Sequence, residues 1–212
     1  MEQIKQQLDK WVAFNGSGKY ITNETISASS GFGIFEDVGI QQNRDEILEF
    51  AEVLKNMGVN GSILEIGLGY FGSTHFLWRL IFDKVITIEK SHERVRLFGS
   101  KLREFSGKWV LNDNKSHFLI GYSYEPETVK KAYGFKLVSV DVLFIDGGHR
   151  YEDVLTDYLL YEPLVRKGGI VAFHDVIDPD CGVGKFLKNF EIPIKKIVHS
   201  KYLGIGYYVK GG

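Results

Sequence analysis

Four ionisable side chains follow two apolar runs in the second half of the chain. Asp146 ends the run VDVLFID, and His149 follows it after two glycines. His174 and Asp175 end the run GGIVAFHD. If both runs are parallel strands, their carboxyl ends open at the same edge of a sheet, where open α/β folds bind their ligands. Two carboxylates and one or two imidazoles at that edge are candidate ligands of a divalent cation.

Each of these side chains also has its own interpretation. His149, with an ordinary pKa near neutrality, is a candidate general base. A strand-end acid such as Asp146 often only caps the next helix, or it binds the polar end of a cofactor. His174 could simply form hydrogen bonds in the core. The pattern leaves these alternatives open.

A glycine-rich stretch, ILEIGLGYFGST at 63–74, follows an earlier apolar run. Gly67, Gly69 and Gly72 have the G-x-G-x-x-G spacing. Such glycines allow positive φ and a close approach of the backbone, and the amides of a following helix then face an anion. Both a dinucleotide pyrophosphate and an amino-acid carboxylate fit this description, so the spacing alone is a weak indication of either ligand.

Two acids narrow the choice of ligand. Glu89, at the end of the next apolar run, is placed to accept the hydroxyls of an adenosine ribose. Glu65, directly before the glycines, would repel a pyrophosphate but attract an ammonium or a sulfonium. S-adenosylmethionine carries both of these cations, so Glu65 favours S-adenosylmethionine over NAD, whereas Glu89 suits either ligand.

The positions of these residues depend on alternating strands and helices. The runs SILEIG, KVITIE, HFLIG, VDVLFID and GGIVAFHD predict buried strands, and amphipathic segments lie between them. A helix near residues 183–190 precedes IPIKKIVHS and LGIGYYVK, which are too close in sequence for a parallel crossover. The sequence therefore predicts an α/β fold with a doubly wound, mostly parallel seven-stranded sheet that ends in an antiparallel hairpin.

The first sixty residues have a different character. A helix is expected over 2–14, followed by a segment rich in Gly, Ser, Asn and Thr. Asn43 is expected to cap a further helix, with Glu46 three residues on. We divide the chain into an N-terminal helix and lid-like segment, 1–42, and a cofactor-binding domain, 43–212. A flexible surface arm is as good an interpretation of the segment as a lid.

Composition excludes several classes of function. The net charge of −1 and the pI near 6.6 give no electrostatic indication of a nucleic-acid or membrane partner. Cys181 is the single cysteine, which excludes an intrachain disulfide and favours a reducing compartment. The N-terminus lacks a signal-peptide pattern, and no apolar run is long enough to span a membrane. We therefore expect a cytoplasmic protein, and the sequence leaves open whether it forms a homo-oligomer.

The chain resembles the class I S-adenosylmethionine-dependent methyltransferases over about residues 40–210. EIGLGYFGST is similar to their cofactor loop, VITIEK to their ribose-binding strand end, and GYS at 121–123 to their adenine-side strand end. The resemblance implies a Rossmann-like methyltransferase fold. It also implies cofactor contacts from Glu65, Gly67, Gly69, Tyr70, Phe71, Gly72, Ser73, Thr74, Glu89, Lys90, Ser123 and Asp146.

A second, more specific resemblance covers the stretch from VDVLFIDGGHRYEDV to GGIVAFHDV. It is similar to the metal-dependent sugar O-methyltransferases of macrolide biosynthesis and to the neighbouring cephalosporin-hydroxylase-like group. The chain matches these enzymes at Asp146, His149 and Asp175, which implies His149 and Asp146 as catalytic residues. We expect a divalent cation (Mg²⁺, Mn²⁺, Fe²⁺ or Zn²⁺) bound by Asp146 and Asp175, with His174 as a further candidate ligand. Position 174 departs from these relatives, which tend to carry a carboxylate there.

Three hypotheses follow for the activity. The first is an O-methyltransferase acting on a small-molecule or sugar hydroxyl, with metal assistance ranked slightly ahead of a reaction driven by His149 alone. The second is a nicotinamide-dependent oxidoreductase, although the chain has no Tyr-x-x-x-Lys spacing. The third is a cofactor-fold protein that binds a partner without turnover.

Overall fold

A computed structural model describes residues 1–22, 38–107, 114–134, 139–178 and 181–211 of the chain. The helices in these residues are α1 (Glu2–Phe14), α2 (Arg44–Asn56), α3 (Ser73–Ile81), α4 (His92–Ser106), α5 (Pro126–Gly134), α6 (Tyr151–Tyr161) and α7 (Gly182–Lys188), with a 3₁₀ turn at Glu162–Leu164. The strands are β1 (Ser62–Ile66), β2 (Lys84–Glu89), β3 (Ser116–Ile120), β4 (Val140–Ile145), β5 (Val165–His174), β6 (Lys195–Ile197) and β7 (Ile205–Val209).

These strands form one sheet with the order β3-β2-β1-β4-β5-β7-β6. The first five strands are parallel, whereas β7 is antiparallel to β5 and β6 is antiparallel to β7. The order of the parallel strands reverses between β1 and β4, and this is where a doubly wound sheet opens a ligand crevice. The predicted fold class, including its antiparallel end, is confirmed.

Helices bury both faces of the sheet, and the alternation of side chains along each strand divides the core in two. Ile63 and Phe144 pack on the face covered by α1, α2 and α3. Leu64 and Leu143 pack on the opposite face, with the buried residues of α6 and α7. Because the side-chain period of a strand is two, every second residue of β1 belongs to the same face.

The N-terminal helix α1 belongs to the main core. Leu8, Trp11 and Val12 are buried in the same cluster as residues of α2, α3 and β1. Trp11 stacks on Phe76 of α3, with ring centroids 4.5 Å apart. The predicted division at residue 42 therefore does not separate two cores. Most of the lid-like segment, residues 23–37, lies outside the described residues.

The helix α2 begins as predicted, with one difference. The Asn43 side chain accepts hydrogen bonds from the amides of Asp45 and Glu46, so Asn43 is the N-cap. The Glu46 side chain, however, does not return to the cap. It is fully buried and accepts hydrogen bonds from residues 199–204, which precede β7.

Among the described helices, none has the length and apolar character needed to cross a bilayer.

Candidate active site

A cavity of about 940 Å³ opens at the carboxyl ends of the parallel strands. This volume is in the upper part of the range of small-molecule sites. Nine of the residues predicted to be functional line it: Gly67, Gly69, Glu89, Lys90, Ser123, Asp146, His149, His174 and Asp175. The sheet topology therefore brings together residues that are more than a hundred positions apart in sequence.

The glycine loop between β1 and α3 needs its glycines for two reasons. Gly67, Gly69 and Gly72 have φ values of 94°, 67° and 63°, which other residues rarely adopt. In addition, a Cβ on Gly67 would lie 2.1 Å from the carbonyl oxygen of Asp146. The ends of β1 and β4 can therefore approach only with glycine at position 67, and this approach forms the floor of the cavity.

Glu89 is held in place by backbone amides on both sides. Its Oε2 accepts a hydrogen bond from the Leu68 amide at 3.0 Å, and its Oε1 accepts one from the Ser91 amide at 2.8 Å. Each carboxylate oxygen can accept more than one hydrogen bond. The carboxylate is thus fixed at the cavity wall with acceptor capacity left for a pair of ligand hydroxyls.

Lys90 and the strand end after β3 form the adjoining wall. The Lys90 ammonium lies 5.7 Å from the centre of the Tyr122 ring, within the range of a cation–π contact. The Ser123 carbonyl accepts a hydrogen bond from the Tyr161 hydroxyl of α6. This wall presents an aromatic ring and a fixed loop next to Glu89, as a nucleoside site requires.

The two histidines and two aspartates form one connected cluster. His149 Nε2 lies 3.1 Å from Asp175 Oδ2. His174 Nδ1 lies 3.2 Å from Asp146 Oδ1 and 3.2 Å from Asp175 Oδ1. His174 is buried, whereas 46% of the His149 side chain is exposed. His149 is therefore the imidazole of this cluster that a ligand can reach.

The environment shifts the pKa of each member of the cluster. The hydrogen bond with Asp175 raises the pKa of His149 above 6.5. Burial alone would lower the pKa of His174, but the carboxylates of Asp175 and Asp146 raise it well above 6.5. Burial raises the pKa of Asp146, and His174 only partly offsets this effect. For Asp175 the two histidines outweigh burial and lower the pKa.

The comparison with protein families identifies the chain. A family model described as a methyltransferase domain matches residues 64–176, which is more than half of the chain. The chain belongs to this methyltransferase family. It is a class I S-adenosylmethionine-dependent methyltransferase, as the resemblance implied. The family match does not support the nicotinamide alternative.

One curated relative and several solved structures are similar to this methyltransferase. An uncharacterized protein of Acanthamoeba polyphaga mimivirus is 32% identical over 77 residues, which cover 36% of this chain and 34% of the viral protein. The chain therefore matches about a third of that relative's length.

The solved structures are more distant in sequence. The O-methyltransferase TomG from Streptomyces achromogenes, involved in tomaymycin synthesis and in complex with SAM, has a TM-score of 0.66 at 16% identity over 84% of this chain and 85% of its own. An O-methyltransferase from Bacillus cereus in complex with SAH has a TM-score of 0.63 at 15% identity over 99% and 92%. CalS11, a TDP-rhamnose 3′-O-methyltransferase of calicheamicin biosynthesis, has a TM-score of 0.61 at 14% identity over 100% and 94%. At such identities these structures establish the shared fold.

Glu65 lies away from the main cavity, which other predicted cofactor residues line. Its side chain is fully buried and does not line the cavity. It accepts hydrogen bonds from Trp78 Nε1 at 3.0 Å and from Thr87 Oγ1 at 2.6 Å. The reason is the strand period: Glu65 shares a sheet face with Ile63, and α3 covers that face. Its carboxylate therefore joins β1, β2 and α3, and the structure does not bring it to the ligand.

Five other predicted residues line a small cavity of about 20 Å³ next to the main one: Tyr70, Phe71, Gly72, Ser73 and Thr74. The Ser73 hydroxyl is already engaged, since it donates to the Gly39 carbonyl at 2.5 Å and accepts from Trp11 Nε1 at 2.9 Å. Ser73 thus connects the cofactor loop to the N-terminal part of the chain.

The residues fit a divalent cation in a different combination from the predicted one. In the described part of the chain, Asp146, His149 and Asp175 each offer a ligand atom, and these atoms lie within 4.8 Å of one another. His174 is not in this group, because its Nδ1 already faces both carboxylates. His149 thus joins the two aspartates in this geometry, and the predicted set of Asp146, His174 and Asp175 stays a prediction. Two carboxylates and one imidazole are a donor set that transition metals accept.

Sequence reasoning missed several residues of the cavity. Asp157, which is buried, lines the main cavity together with Tyr124, Tyr202 and Leu203, and the buried Gln42 lines the small cavity beside it. Gln42 contacts Asp146 across 104 positions of sequence. Asp157 lies on the inner side of α6, and its position in TDYLLYE looked like an ordinary helix surface residue. A sequence pattern over a few neighbouring residues does not reveal that these two residues line a cavity.

Proposed function

We propose that this methyltransferase transfers the methyl group of S-adenosylmethionine to a hydroxyl of a small molecule or sugar, with His149 as the general base. The observation that carries the proposal is the contact of 3.1 Å between His149 and Asp175 at the carboxyl ends of β4 and β5. This pair faces the same cavity as the glycine loop and Glu89. An acceptor bound in this cavity would therefore lie next to both the cofactor and the general base.

The reaction needs alignment and removal of one proton. The acceptor oxygen attacks the methyl carbon in line with the carbon–sulfur bond, which breaks as the carbon–oxygen bond forms and S-adenosylhomocysteine leaves. The hydroxyl proton passes to neutral His149. The Asp175 carboxylate, 3.1 Å from the imidazole, stabilises the imidazolium that results.

Metal assistance belongs to the same proposal. Asp146, His149 and Asp175 are the residues that would hold a divalent cation. Such a cation would lower the pKa of a bound acceptor hydroxyl and orient it. The mixed nitrogen and oxygen donors favour Mn²⁺, Fe²⁺ or Zn²⁺ over Mg²⁺, which prefers oxygen ligands. The His149 nitrogen that coordinates a metal cannot also accept the proton, so a bound metal would replace the general base by lowering the pKa of the acceptor hydroxyl. Without the metal, His149 removes the proton.

The choice of a hydroxyl acceptor is supported by the similar structures. TomG is named as an O-methyltransferase and CalS11 as a TDP-rhamnose 3′-O-methyltransferase. The volume of about 940 Å³ is large for a small-molecule site, and Ile21, Tyr202 and Leu203 line it together with the catalytic cluster. A sugar or another small hydroxyl compound fits these walls.

Methyl transfer to a panel of nucleotide-linked sugars, other sugars and phenols tests the proposal. The chelated enzyme and the enzyme with each cation restored are assayed in parallel. We expect His149→Ala to lower turnover by a factor of about 10²–10⁴, the usual contribution of a general base. His92→Ala is the control, because His92 is exposed at the start of α4. Turnover of the His149→Ala enzyme at the wild-type rate would refute the role of His149, and full activity after chelation would refute the role of the metal.

A further inference from the structure

Gln42 is buried between the N-terminal part of the chain and the catalytic cluster. Only 1% of its surface is exposed. Its backbone carbonyl accepts a hydrogen bond from the Ile21 amide at 3.1 Å, and its side-chain Nε2 donates to Asp146 Oδ2 at 2.8 Å. The side-chain oxygen Oε1 is also buried, and it has no hydrogen-bond partner among the described residues.

The orientation of this amide follows from its neighbour. The NH₂ group of Gln42 donates to Asp146, so the side-chain carbonyl oxygen of Gln42 faces away from this carboxylate. A buried carbonyl without a partner is rare in proteins, because it has lost its water without gaining a replacement. Gln42 Oε1 is therefore an acceptor in need of a donor.

The space beside Gln42 is suited to a small group. The cavity of about 20 Å³ is lined by Gln42, by Asp146 and by the cofactor loop from Leu68 to Thr74. It has room for about one water-sized group. Gln42 Oε1 and the Asp146 carboxylate are both acceptors, so the group that fits best is a cation that donates hydrogen bonds.

The segment that carries Gln42 is fixed to the cofactor loop. The Gly39 carbonyl accepts a hydrogen bond from the Ser73 hydroxyl, and the Gly39 amide donates to the Lys19 carbonyl at 3.0 Å. A Cβ at Gly39 would lie 2.4 Å from the Val12 carbonyl oxygen, so this segment packs tightly against α1. Gln42 is thus held at a constant position relative to the glycine loop.

We infer that Gln42 binds the ammonium group of the methionine part of S-adenosylmethionine, through its side-chain oxygen, and at the same time positions the carboxylate of Asp146. The cofactor's carboxylate is left to the backbone amides at the start of α3, which suit an anion. Gln42 thereby has the role that the sequence suggested for Glu65, which is to attract a positively charged group of the cofactor. The inference rests on S-adenosylmethionine as the cofactor and is independent of the acceptor.

Two ligands that differ only in the amino group test this contact. Calorimetry compares S-adenosylhomocysteine with its deamino analogue, which keeps the carboxylate, on the full-length wild type and on Gln42→Leu. We expect the substitution to weaken S-adenosylhomocysteine by at least about tenfold, the loss expected for a hydrogen bond to a charged group. The deamino analogue should bind both proteins equally, within about twofold, because it makes no such hydrogen bond. Gln42→Met, with an unbranched side chain, replaces Gln42→Leu if the latter does not fold.

The outcomes separate this inference from the proposed function. Equal weakening of both ligands would show a purely structural role for Gln42, and unchanged binding of both would show that only water occupies the small cavity. Either result overturns the ammonium contact and leaves the methyltransferase assignment intact. If the wild type bound neither ligand, both the cofactor assignment and the inference would fall.

Discussion

A buried acid in the cavity wall allows a quantitative prediction about stability. Asp157, on α6, is only 2% exposed. Burial raises its pKa to about 6, although a hydrogen bond with Ser123 partly opposes the shift. The neighbouring carboxylate of Asp153 raises the pKa further. We therefore predict that Asp157→Asn, which keeps the shape of the side chain and removes the charge, stabilises the protein without ligand at neutral pH.

The size and the pH dependence of this gain follow from proton linkage. The ordinary pKa is 3.8 and the folded-state pKa is about 6. At pH values below 3.8 the side chain is protonated in both states, so the charge costs nothing. As pH rises, the unfolded chain ionises first, and folding becomes progressively less favourable until the folded state ionises too. A difference of about two units corresponds to about 3 kcal/mol at pH 7.5, and the same relation gives about 1.5 kcal/mol at pH 5.

Urea denaturation of the ligand-free protein at pH 5 and pH 7.5 measures this difference. The advantage of Asp157→Asn over the wild type should be about twice as large at pH 7.5 as at pH 5. Asp83→Asn is the matched control, because Asp83 is exposed and its substitution should change stability little at either pH. A variant that is less stable than the wild type at pH 7.5, or a gain that shrinks as pH rises, would refute the assignment of the raised pKa to burial.

Two further predictions concern the catalytic pair and a loop contact. The turnover of the chelated enzyme should increase as pH rises through a pKa above 6.5, because the reaction needs neutral His149 and Asp175 raises the pKa of His149. Asp175→Asn should move this increase in turnover to lower pH. An unchanged pH profile would contradict the contact between His149 and Asp175. Glu46→Gln should lower the free energy of unfolding by about 2–3 kcal/mol in urea denaturation, because the buried carboxylate accepts four hydrogen bonds from residues 199–204. The exposed pair of Glu49 and His199 provides the control, since Glu49→Gln should cost less than about 1 kcal/mol, and equal effects of the two substitutions would argue against the importance of burial.

The sheet could be predicted because its causes are local. The central strands β1, β2 and β4 are short apolar runs, rich in β-branched residues and buried along nearly their whole length. The antiparallel end followed from the short connection between the last two runs, which does not allow a crossover. Asn43 as the N-cap of α2 followed from the preference of Asn for this position.

The side-chain contacts of the site depend on distant elements, and here prediction was less complete. Glu65 carried the right charge for the expected role, but its partners Trp78 and Thr87 lie on other elements. Its alternation with Ile63 was visible in the sequence, and it indicates the face under α3. Glu46 was expected beside its own N-cap, yet the loop at 199–204 offers four donors that the cap does not. In both cases a buried carboxylate lies where the most hydrogen-bond donors converge.

The same requirement explains the role of His174 in the catalytic cluster. Asp146 and Asp175 approach one another at the ends of neighbouring strands, and two carboxylates this close and this buried need a positive charge between them. The His174 imidazole lies 3.2 Å from both, and the two carboxylates raise its pKa well above 6.5, which favours a positively charged imidazolium between them. The enzymes that the second half of the chain resembles tend to have a carboxylate at this position, which leaves the neutralising charge to a metal ion. In this chain an imidazolium balances the acids already, so a cation bound by Asp146, His149 and Asp175 would serve to activate the acceptor and is not required to hold the two strand ends together.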